Sequence, residues 1–176
     1  MPIEPENRIA EIISAAGGKL VSKIRLQKIV YLLDQINDEH NFDFVYYHFG
    51  PFSRDVENAV LDGEAFGLIK EEEAFRSSDG AKYSIFTVSE PVEDYKFLHT
   101  KELKDLTNNL ANENVTVLEL AATAHWLFTY ENISDWETEI RRRKGSKNDS
   151  GRLEKAKQLL LKISLHPAFE AGRSAH

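Results

Sequence analysis

Apolar residues recur along this chain at helical spacing in some stretches and alternate in others. Ile9, Ile12, Ile13 and Ala16 fall at i, i+3, i+4 and i+7 before Gly17-Gly18, which predicts a first helix over about 5–16. Lys19-Leu20-Val21 reads as a short extended piece. Ser22 is a good N-cap for the next run, where Leu26, Ile29, Val30, Leu33 and Ile36 share a face and Lys23, Arg25 and Lys28 fall off it, so a second helix is expected over 23–37.

After a polar turn at Asp38 to Asn41, the aromatic and β-branched run from Phe42 to Phe49 predicts a strand or extended segment, broken by Gly50-Pro51. Ser53 can cap a third helix over about 54–66, with Val56, Ala59, Val60 and Phe66 on one face and Gly67 as its stop. Leu68-Ile69-Lys70 and the alternating segment Lys82 to Val88 flank the polar tip Ser77-Ser78-Asp79-Gly80, a β-hairpin signal. From Pro91 onward the pattern is helical, over about 92–111, 115–130, 134–144 and 151–164. Val115 to Tyr130 is apolar nearly all round, which predicts a buried central helix.

Three helices followed by a two-stranded hairpin is the order of a winged helix with the hairpin as its wing; the aromatic insert between the second and third helices departs from it. The fold expected is therefore mainly α within the α+β class. It comprises a winged-helix-like module over 1–90 and a helical extension over 91–176, packed together as one folding unit. At 176 residues and 41% apolar, the chain can build one full core.

Cysteine is absent, which excludes a disulfide framework, a thiolate metal site and a thiol nucleophile, and makes the cytoplasm the expected location. No basic segment followed by an apolar run opens the chain, and no stretch approaches the roughly 18 apolar residues that span a bilayer, so no membrane partner is expected. The net charge of −7 is unevenly spread. Residues 1–100 carry ten cations against eighteen carboxylates, residues 101–140 two against eight, and residues 141–176 ten against three.

Three short motifs stand out: Leu26-Gln27-Lys28-Ile29-Val30-Tyr31-Leu32-Leu33; Tyr47-His48-Phe49-Gly50-Pro51-Phe52-Ser53; and Leu118-Glu119-Leu120-Ala121-Ala122-Thr123. Together they resemble the YwgA-like family of small bacterial and archaeal proteins and, more distantly, the Panacea antitoxin and phage-associated domain. The stretch Lys144 to Lys162, with Leu153-Glu154-Lys155-Ala156, is similar to the family's tail. The resemblance implies a regulator that binds another protein, such as a toxin, rather than an enzyme.

Gly50-Pro51 reads either as a turn that launches the third helix or as part of an exposed aromatic platform of Tyr46, Tyr47, Phe49 and Phe52 for a protein partner. For nucleic acid, the candidates are Arg54 on the third helix, Lys82 near the wing tip, and the basic run Arg141, Arg142, Arg143, Lys144 and Lys147. Asp55, Glu57, Asp62 and Glu64 accompany Arg54, and their repulsion of phosphate argues against the third helix as a reader. The basic run is equally readable as a solvated surface with Glu137–Arg141 and Glu139–Arg143 pairs at i, i+4, or as a patch that docks another copy in a homodimer.

The histidines His40, His48, His99, His125, His166 and His176 lack zinc-helix spacing, and Asp34, Asp38 and Asp43 lack the glycine and glutamate of a calcium loop. No phosphate loop, dinucleotide fingerprint or nucleophile elbow occurs; Ala16-Gly17-Gly18-Lys19 has the wrong spacing. A protein without catalytic residues, metal or cofactor is the expectation, with a protein partner first and DNA as the alternative.

Overall fold

The computed structural model describes residues 2–168; residues 169–176 of the expected extension, His176 among them, lie outside these. Seven α-helices, five short strands and one 3-10 turn are found among the described residues, a mainly helical α+β arrangement.

Helix α1 (Pro5–Ala15) starts with proline in its first turn, where a missing N–H costs nothing, and buries Ile9, Ile12 and Ile13. Strand β1 (Lys19–Val21) leads through Ser22, whose hydroxyl accepts from the Arg25 N–H, into α2 (Lys23–Ile36). A hairpin of β2 (Val45–Tyr47) and β3 (Gly50–Phe52) separates α2 from α3 (Arg54–Ala65), which Ser53 caps. Strands β4 (Ile69–Phe75) and β5 (Lys82–Val88) pair from Ile69 opposite Val88 to Phe75 opposite Lys82. Strand β1 joins the other edge of β5, with Leu20 opposite Phe86, giving an antiparallel sheet in the order β1-β5-β4.

The second half consists of α4 (Lys101–Ala111), α5 (Val115–Thr129), α6 (Trp136–Lys144), the 3-10 turn Gly145–Asn148 and α7 (Arg152–Lys162). Helix α5 is the expected central helix. Its small residues Ala121, Ala122 and Ala124 admit close neighbours, and it packs against α2, α6, α7 and β3. One continuous core joins both halves, from Ile9 through Leu33 and Leu120 to Leu160.

Three expectations are corrected. Residues 92–100 are irregular, and α4 begins only after the Thr100 cap. The buried Glu11 carboxylate of α1 accepts the N–H groups of Lys96, Phe97 and Leu98, each at 2.8 Å, and so takes the donors a helical turn would have used. Gly50-Pro51 does not end a strand; it forms one, with Tyr46 opposite Pro51 and Tyr47 opposite Gly50. Lys28, expected off the apolar stripe of α2, is 2% exposed, because α5 and the hairpin cover the face that a single amphipathic stripe would leave to water.

Candidate functional site

Two side chains of α2 hold the root of the β2–β3 hairpin. The Gln27 amide donates to the Ser53 carbonyl and accepts from the Ser53 N–H, both at 2.9 Å. Lys28 Nζ donates to the Pro51 carbonyl at 2.7 Å. On the far side α5 presents Thr123 so close to Gly50 that a Cβ there would lie 2.5 Å from its Oγ1. Gly50 also has φ of +90°, so both space and backbone geometry demand glycine. The three motifs singled out in the sequence thus meet at one place: α2 through Gln27 and Lys28, the hairpin through Gly50 to Ser53, and α5 through Thr123.

A buried charge cluster lies behind the hairpin. Glu119 of α5 accepts from Lys144 at 2.8 Å and from Lys147 at 2.7 and 3.0 Å. Burial pushes the Lys28 ammonium down to about pKa 7; Glu119 opposes this, while Lys144 and Lys147 reinforce it. Burial likewise lowers Lys144, against the support of Glu119. The cluster reaches the hairpin's aromatic rings: the Arg143 guanidinium lies 4.9 Å from the centre of the Tyr46 ring, and Lys147 lies 4.9 Å from that of Phe49. Burial raises the Tyr46 hydroxyl and the Arg143 hydrogen bond lowers it, burial prevailing.

The other face of the hairpin opens onto a groove of about 390 Å³. Tyr47, Phe49 and Phe52 form one wall, and Val56, Glu57, Val60 and Leu61 of α3 form the other. Ile24 and Gln27 of α2 lie between them, with Glu71 and Phe86 of the sheet also lining the space. Much apolar surface here is open to water, Leu61 being 60%, Tyr47 55% and Phe49 45% exposed.

The chain matches no protein-family model and no curated protein.

The aromatic residues named from the sequence therefore divide. Tyr47 and Phe52 line the groove, Phe49 lines it and also meets Lys147, and Tyr46 turns toward Arg143 and Lys144. The basic residues divide as well. Arg143 is bound to Glu131 at 2.8 Å and Glu139 at 2.6 Å, Arg142 to Glu139, and Lys144 and Lys147 to Glu119, while Arg141 is exposed. The Glu139–Arg143 pair forms as expected, but Glu137 reaches Lys157 at 3.0 Å rather than Arg141. Lys82 is paired with Glu73 at 2.9 Å, and Arg54 is exposed at the start of α3.

Sequence reasoning missed the buried charge cluster of Lys28 and Glu119 with Lys144 and Lys147, and the Gly50–Thr123 contact. Glu119 was the available signal, because a carboxylate between Leu118 and Leu120 in a helix apolar all round requires a buried cation. His125 is buried with Nδ1 2.7 Å from the Tyr31 hydroxyl, the satisfied core position its apolar helix implies. Among the described residues, no three histidine or carboxylate side chains gather to hold a metal ion, and no helix is long and apolar enough to cross a membrane.

Proposed function

We propose that this chain is a non-enzymatic regulatory module that binds a segment of another protein in the groove between the β2–β3 hairpin and α3. One observation carries the reading: solvent-open apolar side chains line a concave surface whose aromatic wall is fixed at its root by Lys28, Gln27 and the Gly50–Thr123 contact. A hairpin backbone fixed at its root loses little freedom on binding, which favours the aromatic side chains it carries as anchors. The order α1, β1, α2, α3, β4, β5, interrupted by the β2–β3 insert between α2 and α3 and with β1 paired to β5, supports a winged-helix-like reading of residues 1–90 with β4–β5 as wing. Two of the three segments that carry the YwgA-like and Panacea-like resemblance line this groove, and the resemblance points to an antitoxin-like or phage-associated regulator.

The DNA-binding alternative draws less from the same geometry. Four of the five basic residues between 141 and 147 already face carboxylates. Helix α3 sets one Arg54 against four carboxylates, so counterion release would be small.

The test is affinity capture from extracts of the producing cells, with wild type and Leu61→Asp as parallel baits. Leu61 is exposed, so the substitution leaves the core intact. A stoichiometric protein retained by wild type and lost by Leu61→Asp supports the reading; identical captures, or none, oppose it.

A further inference from the structure

Glu57 stands on the α3 wall of the groove, one turn before Leu61, and no hydrogen bond or ion pair engages it among the described residues. The other charges of the lining are committed. Lys23 pairs with Glu71 at 3.4 Å, Glu71 also accepts the Ser84 hydroxyl at 2.6 Å, and Lys28 is turned to the Pro51 carbonyl. Around it α3 carries Asp55, Asp62 and Glu64 against Arg54, whereas the β4 carboxylates are balanced, Glu71 by Lys23, Glu72 by Lys70 at 2.6 Å and Glu73 by Lys82 at 2.9 Å. Lys147, the cation over Phe49, is held by Glu119.

An apolar floor beside one uncompensated carboxylate discriminates by charge, since an acidic segment would bring like charges together at the half-buried Glu57. We propose, resting on the protein-binding reading above, that the groove takes a basic apolar segment of a partner protein. Its apolar side chains fill the space beside Phe49 and Leu61, and a flanking lysine or arginine meets Glu57. The long stem of that cation lies along the apolar wall while its charged end reaches the carboxylate. Glu57 is then the residue that sets partner specificity, and the aromatic wall supplies the affinity.

The probe is a displayed library of random peptides panned on the intact protein, followed by titration of the enriched peptides. Enriched sequences should combine aromatic or branched apolar residues with lysine or arginine. Their affinity should fall roughly tenfold or more in Glu57→Lys, and peptides whose cation is changed to glutamate should regain affinity for that variant. Peptides that require Leu61, as shown by loss of binding to Leu61→Asp, but bind Glu57→Lys unchanged would overturn the charge inference and leave the groove reading standing. Binding insensitive to Leu61→Asp, or no enrichment, would overturn both.

Discussion

Lys28 Nζ and the carbonyl oxygen of Pro51 are 2.7 Å apart, so a buried ammonium in the middle of α2 anchors the aromatic hairpin. The pair ties hairpin position to protonation chemistry. Lys28 has a folded pKa of about 7, below its ordinary value of 10.5, and the unfolded chain therefore binds the extra proton across that interval. Its contribution to stability rises with pH from about 7 to about 10.5. Denaturant titrations across this range should show wild type gaining about 4 kcal/mol relative to Lys28→Met, which does not titrate. Parallel curves would contradict the assignment. Backbone amides of residues 45–52 should also exchange faster in Lys28→Met than in wild type.

Glu119 compensates two lysines, one of them buried. Glu119→Leu should destabilise the fold by about 3–5 kcal/mol, because Lys144 is left charged and unpaired in the core. Glu119→Leu combined with Lys144→Met should cost clearly less, since an apolar pair replaces the ion pair. Urea unfolding of both variants gives the comparison; equal losses would mean that the ion pair is not what the core requires.

Gly50→Ala meets two obstacles, a positive φ and the Thr123 hydroxyl. A loss of about 2–4 kcal/mol is expected, of which Thr123→Ala in the same chain should restore the steric part and leave the backbone strain. Thr123→Ala alone should cost only about 1 kcal/mol, from the buried methyl it deletes, as its Oγ1 has no hydrogen-bond partner. A double mutant no better than Gly50→Ala would place the whole cost in the backbone.

The elements themselves were largely legible, because α1, α2, α3 and the β4–β5 hairpin are encoded by local periodicity and caps. Ser22, Ser53 and Gly67 mark boundaries that need no tertiary information. The segment 92–100 was not legible as a loop, since its conformation is set by Glu11, some eighty-five residues away in sequence. Lys28 was misread for a related reason: periodicity identifies one apolar stripe, whereas α2 is covered on a second side by α5. The aromatic wall was named, with Tyr46 added to it, and the groove was not, because Val60, Leu61 and Phe86 join its lining only through the packing of α3 and the sheet.

Asp34 is buried, accepting from the Phe42 N–H at 3.2 Å and from the Asn41 amide at 3.3 Å. Burial raises its pKa from 3.8 to about 6, against these hydrogen bonds and the positive charge of Arg8. The folded state therefore holds the proton more tightly, and this contribution to stability is lost as pH rises from about 4 to about 6. Between about pH 4 and pH 7 the stability difference should move in favour of Asp34→Asn by about 2–3 kcal/mol, on top of a pH-independent loss from replacing one of the two acceptor oxygens by an amide NH2. A difference independent of pH would show that the carboxylate does not titrate in this interval.

The groove is the centre of this account, and site-specific photo-crosslinking in the producing cells tests it most directly. A benzophenone amino acid placed at Leu61 or Phe49 should yield one discrete protein adduct. The same group at Phe75, exposed on β4 away from the groove lining, should not. Adducts at Phe75 but none at Leu61 or Phe49, or none at any of the three, would contradict it.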